Sequence, residues 1–475
     1  MARRDASGGR SARRKPLPVG RWVEDEFASL CLGDARRTAR FKFTISALAQ
    51  APQKSLPDAL PGWAALKAAY GLLRSDSVDH ASIIDAHVHA SVCRASGLDV
   101  VLAVQDTTYI DFTSHPSVQG LGRLSKDWQR GLVVHSTLAI STERLPLGLF
   151  AQEVWTRDID RAGTRNLRRQ LSIEDKESNQ WLTSLKVLDT LKQSLPDTRL
   201  VSVADREADV FDLFNLPRQH GVDLLVRSAW NRALLDDQDE HAYLWELLEA
   251  SKSLGHCEVH IPAKTDRAAR TAKLNIRARA VRLKPPRARR ASERLKPIDM
   301  WAVLAREERP GKHEPLEWML LTSLPTETLA QALERLDWYS ARWGIEVWHR
   351  VLKTGCKIER LLLRKAEALV NALAMFSIIA WRVQFAAMLA RDVPDAPCTL
   401  LLDDDQWQAL YCRVHEVPIP CGDPPSLGQA VRWIAGLGGW IGRKNDRPPG
   451  AEVLWRAFQS LAAFTPMFRI MRKNL

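Results

Sequence analysis

The chain has 475 residues, of which 45% are hydrophobic, so it can bury the cores of two or three domains and is not disordered as a whole. Lys and Arg total 68 against 56 Asp and Glu, a net charge of +12 that favours a polyanionic partner through counterion release. Seven scattered cysteines suggest no disulfide framework, which excludes a small secreted scaffold and points to a reducing cytoplasm.

Residues 1–20 read as a flexible basic tail, without the apolar stretch of a signal peptide. Residues 21–95 read as a helical module. Asp34 is a good N-cap for a helix carrying Arg36, Arg37 and Arg40, which could enter a DNA groove or form an ordinary charged surface. A second helical pattern runs through Trp63, Leu66, Ala69, Tyr70 and Leu73.

The texture changes near residue 97. Val100 to Val104 is an apolar run that closes on Gln105 and Asp106. Leu132 to Ile140 and Leu145 to Val154 read as strands, followed by a helix near Lys176 to Ser194. Leu200 to Ala204 runs into Asp205, and Leu224 to Val226 precedes Arg227. Strands ending in acids, with helices between, indicate an α/β core over 96–391. Within it, about 232–325 reads as a basic, mostly β insertion: Leu274, Ile276 and Ala278 alternate with Asn275, Arg277 and Arg279. Ala368 to Ala390 is broken by Asn371, Arg382 and Gln384, so it reads as a buried helix and not a membrane span. Residues 392–475 form a Trp-rich helical module suited to interaction.

One stretch carries most of the chemistry. Tyr339, Arg342, Glu346 and Lys353 fall within roughly 60° of one another on an ideal helix. An aromatic plane, two phosphate-binding cations and a possible metal ligand would then share one face. Asp106 and Asp205, at strand ends, could join Glu346 in holding two Mg²⁺ ions about 3.5–4 Å apart, the arrangement that activates a nucleophile and steadies a leaving oxygen in phosphodiester chemistry.

These residues carry a resemblance. Asp106-Thr-Thr, Asp205-Arg-Glu-Ala-Asp209 and the Tyr339-x2-Arg342-x3-Glu346-x6-Lys353 signature resemble the DDE transposases of the insertion-sequence-four type, in their Tn-five-like branch. The segments 32–40, 176–181, 226–228, 315–323, 329–333 and 437–439 extend the likeness, which runs from about residue 21 to the C-terminus. The resemblance implies a ribonuclease-H-like catalytic core with a β-rich insertion. An N-terminal helical DNA-binding module and a C-terminal helical dimerisation module would flank it. Asp106, Asp205 and Glu346 would be the catalytic, metal-binding triad, served by Mg²⁺ with Mn²⁺ able to substitute. Tyr339, Arg342 and Lys353 would hold DNA phosphate, Trp318 would stack on a flipped base, and Arg227 would touch phosphate. The partners implied are double-stranded DNA, as transposon inverted-repeat ends and target, and a second copy of the chain in a synaptic complex on the bacterial nucleoid. Cut-and-paste transposition is the expected activity; a structure-selective nuclease of the same fold and a non-catalytic DNA-binding or inhibitory relative remain the alternatives.

Overall fold

The computed structural model describes residues 21–157, 177–235, 242–261, 269–287, 294–311, 314–443 and 448–472. The basic tail and Lys176 lie outside the described residues. The N-terminal module is helical: α1 (Arg21–Glu26), α2 (Ala35–Gln50), α3 (Leu56–Ala59), α4 (Gly62–Leu73) and α5 (His80–Ala95). Asp34 caps α2, its carboxylate accepting the Arg36 N–H at 2.7 Å, and Asp79 caps α5 through Ser82 N–H at 2.8 Å. Phe41, Ile45 and Leu48 bury one stripe of α2, leaving Arg36 and Arg40 on the exposed side.

The region from Val100 to Thr322 is built on one mixed sheet. Its strands are β1 (Val100–Asp111), β2 (Gly122–Arg123), β3 (Arg130–Ser141), β4 (Pro146–Trp155), β5 (Arg199–Ala204), β6 (Asp223–Arg227), β7 (Gly255–Ile261), β8 (Arg270–Leu283), β9 (Ile298–Glu307) and β10 (Glu317–Thr322). The order is β2-β3-β1-β5-β6-β10-β9-β8-β7, with β4 on β3. β1, β5 and β6 are parallel to one another, while β3 and β10 flank them antiparallel. The strands of the basic insertion therefore prolong the central sheet, because β10 pairs directly with β6.

Both faces of the sheet are covered. Leu102 and Val104 of β1 point into one core and Val101 and Ala103 into the other, which is why this strand reads as an unbroken apolar run. Helix α6 (Asn179–Leu191) closes one face with Trp181, Leu185 and Leu188. After α7 (Phe211–Asn215), α8 (Leu244–Ala250), α9 (Leu329–Ser340) and α10 (Trp343–Arg350) comes α11 (Ala366–Asp392), which lies under the other face. By length and composition α11 could cross a bilayer, yet 78% of its most apolar window is buried inside the protein, as a core helix requires. Its core continues into the C-terminal helices α12 (Asp404–His415), α13 (Leu427–Leu437) and α14 (Ala451–Arg472).

Two expectations need correction. Asp106 does not close its strand: β1 continues to Asp111, because β3 pairs with it along that whole length. What ends near Asp106 is the pairing with β5, at Val104↔Val203. Nor do Tyr339 and Lys353 share one uninterrupted α-helix. The chain tightens at Ser340–Arg342, where Arg342 N–H reaches Tyr339 O and Ile345 N–H reaches Arg342 O, each three residues back. Beyond α10, Val351–Gly355 forms a π-helical turn closed by Cys356 N–H to Val351 O at 2.7 Å.

Candidate active site at the sheet edge

The parallel register of β1 and β5 puts Val104 beside Val203, so Asp106 and Asp205 lie two residues further on, at the same level of adjacent strands. Ala204 pairs with Val226, which sets Arg227 level with Asp205 on the next strand. Asp205 leaves its strand as the cap of a short turn, accepting Glu207 N–H at 2.9 Å. Burial pushes its carboxyl above the usual range; the Glu207 N–H opposes this and the charge of Asp106 adds to it. Glu207 is raised as well, by burial and then by Asp205 and Asp106. Three carboxylates, Asp106, Asp205 and Glu207, thus crowd one edge, and the charges of Arg342 and Arg227 partly offset them at Asp205.

Helix α10 brings Glu346 to this edge together with its main counter-charge. Arg342 Nη2 donates to Glu346 Oε1 at 2.6 Å, and Nη1 lies 3.9 Å from Asp106 Oδ1. Burial disfavours the charge of this guanidinium, but Tyr339, Glu346, Asp106 and Asp205 together hold its pKa above the ordinary arginine value. His349, one turn beyond Glu346, places Nδ1 3.4 Å from Asp106 Oδ2, while its buried Nε2 has no hydrogen-bond partner. The Glu346-x2-His349 spacing could have signalled this neighbour, since residues three apart share a helix face. Trp343, within the same motif, is 59% exposed, with the Arg342 guanidinium 5.6 Å from its ring centre.

Other expected residues take varied places. Tyr339 is buried, and its ring meets Trp318 edge-on at 5.8 Å, so its face is not open for stacking. Trp318 is half-buried at the start of β10. Arg227 donates to Glu317 O at 3.0 Å, and its charge acts on Asp205. Lys353 lies half-buried on the π-helical turn; burial lowers its pKa against the pull of Glu359, Asp106 and Asp111. Of the N-terminal arginines, Arg36 and Arg40 are exposed, whereas Arg37 donates to Leu32 O at 2.5 Å and so braces the loop before its helix.

Among the described residues no three His, Cys, Asp or Glu side chains stand close enough to form a ready metal cage. The donor set nevertheless fits a hard cation: Asp106 and Asp205 face one edge, and Mg²⁺ takes one or two carboxylates with phosphate and water completing its shell. Glu346 is the carboxylate not yet available, because Arg342 holds it.

Family comparisons agree with this layout. Residues 20–78 match the transposase DNA-binding family, residues 176–381 the transposase DDE domain, and residues 378–474 the transposase Tn5 dimerisation domain. The DDE match covers Asp205 and Glu346 and begins after Asp106. A DNA-binding segment, a DNA-cleaving and DNA-joining domain of a metal-using family, and a dimerisation segment follow one another along the polypeptide. The chain belongs to the Tn5-like DDE transposases.

Proposed function

We propose that this transposase moves its element by cut-and-paste, as a homodimer holding both inverted-repeat ends in one synaptic complex on the nucleoid of a bacterial cytoplasm. One strand at each end is nicked by water, the freed 3′-hydroxyl attacks the opposite strand to close a hairpin, water reopens it, and the same hydroxyl joins target DNA. Asp106, Asp205 and Glu346 would hold two Mg²⁺ ions, replaceable by Mn²⁺. When bound, such ions lower the pKa of a nucleophile and neutralise the leaving oxygen.

The observation that carries this reading is the coincidence of Asp106, Asp205 and the Arg342–Glu346 pair at one sheet edge. Arg342 is the residue that changes partner. An incoming phosphate offers its guanidinium the same forked geometry as a carboxylate, and drawing it away releases Glu346. His349 orients Asp106, Lys353 and Arg227 supply point and planar cations beside the scissile strand, and Trp318 stacks on the base flipped at the hairpin. For dimerisation, α14 presents Met467, Ile470 and Met471 to solvent, three large apolar side chains at helical spacing.

The test is Glu346→Ala. The variant keeps its affinity for end DNA and loses Mg²⁺-dependent nicking and joining to background. Nicking at the wild-type rate would remove Glu346 from the site.

A further inference from the structure

The loop that follows β6 is built to present an aromatic ring. Asp209 is buried, and its carboxylate accepts four hydrogen bonds: Ser228 Oγ at 3.0 Å, Ala229 N–H at 2.7 Å, Trp230 N–H at 3.1 Å and Arg232 Nε at 2.8 Å. The next residue is anchored from the other side, since Asn231 Nδ2 donates to both Glu246 oxygens at 2.9–3.0 Å and its Oδ1 accepts Trp245 N–H at 2.9 Å. Between these fixed points the Trp230 side chain is left 66% exposed.

A backbone held this firmly around an uncovered indole is the arrangement expected of a preorganised contact, because ordering the loop has already been done before a partner arrives. Its location selects the partner. Arg227 stands level with Asp205, three residues before Trp230, and Ser228 N–H donates to Met319 O at 2.7 Å, next to Trp318. The ring therefore leaves the sheet at the edge that carries the acids. We infer that Trp230 stacks on an unpaired base of the DNA strand whose phosphate lies at Asp106 and Asp205, with Asp209 as the residue that positions it. Bases within a duplex hide their faces in the helical stack, so a flat apolar ring beside a phosphate-binding arginine selects DNA opened next to the cleavage point. This role differs from that of Trp318, whose ring is half-buried against Tyr339. It rests on the proposed placement of the scissile phosphate.

The experiment compares the dissociation constants of the full-length dimer for two end substrates without divalent metal. One is fully paired; the other carries three unpaired bases beside the scissile phosphate. The ratio of the two constants is the readout. In Trp230→Ala the preference for the opened substrate falls about ten-fold, and Trp230→Phe restores most of it, a rescue that a purely structural role would not give. Asp209→Asn shows the same loss in smaller degree. A preference in Trp230→Ala equal to that of wild type overturns the inference. So does an altered dimer mass with an unchanged DNA preference, which would make this ring a protein contact. Because the ratio is read without catalysis, its failure is distinct from a failure of Glu346→Ala to lose nicking.

Discussion

Replacing Arg342 by Gln should raise the affinity of the DNA-free protein for divalent metal while lowering DNA cleavage. In the absence of DNA the guanidinium holds Glu346 through a 2.6 Å bond and stands 3.9 Å from Asp106, with only 12% of its side chain exposed. A charge-assisted hydrogen bond of this kind contributes about 1.5–3 kcal/mol. Glu346 is 32% open to solvent, which screens the pair and favours the lower end of that range. A metal that must displace Arg342 therefore binds roughly ten-fold more weakly than one that need not. Titration calorimetry with Mn²⁺ measures this directly: Arg342→Gln should bind about ten-fold more tightly than wild type without DNA. Adding end DNA should close most of the gap by drawing the wild-type guanidinium onto phosphate. Equal Mn²⁺ affinities for the two DNA-free proteins would refute the idea that Arg342 masks Glu346.

Two further outcomes follow from features away from the sheet edge. Glu26 is buried between His87 Nδ1 at 2.5 Å and Arg94, whose two terminal nitrogens reach its carboxylate at 2.8 and 3.0 Å. His87 Nε2 accepts Leu149 N–H at 3.0 Å, so the ring is neutral and donates from Nδ1, in keeping with a histidine pKa lowered by complete burial. Burial alone would raise Glu26, but these two partners bring it down to about 2. Its folded pKa lies below its unfolded value, so its contribution is complete above about pH 4.5 and fades as acid approaches pH 2. That contribution is on the order of 3 kcal/mol, and urea midpoints between pH 6 and 3 should fall more steeply in wild type than in Glu26→Gln; equal slopes would dismiss the linkage. The double variant Met467→Asp, Ile470→Asp should fold normally, because both side chains are exposed, yet weaken the dimer by about a hundred-fold in light scattering across concentrations. Unchanged dimer mass would place the interface elsewhere.

The N-terminal helices, the core strands as segments of the chain and the strands between Gly255 and Thr322 were legible in the sequence, because each rests on a local signal. Asp34 announces its helix by side-chain chemistry that the structure reproduces. The apolar run at Val100 to Val104 announces a strand buried on both faces. What escaped detection depends on pairing between distant segments. Nothing local to Asp106 shows that β3 carries β1 on to Asp111, or that β10 would dock on β6 and merge the insertion with the sheet. Helical periodicity placed Arg342 and Glu346 on one side, and four-residue spacing does bring them into contact. It could not foresee the tightened junction at Ser340–Arg342 or the π-helical turn at Val351–Gly355, which alter the phase at which Tyr339 and Lys353 emerge. His349 carried a local signal in its three-residue spacing from Glu346, whereas nothing local to Trp230 shows that its exposed ring stands near Asp205.

The pairing of β10 with β6 also constrains how the molecule is made. During synthesis, β6 emerges with one edge unpaired, and the strand that covers it lies some ninety residues later, at Glu317–Thr322. At about 5–20 residues per second that edge stays open for several seconds, long enough for pairing with other chains to compete. Excising 232–325 would make that transient exposure permanent, stripping the edge of β6 next to Arg227. The insertion is thus not a removable appendage: the nascent enzyme has no finished sheet beside Asp205 until it has been translated, and Glu346 follows only afterwards.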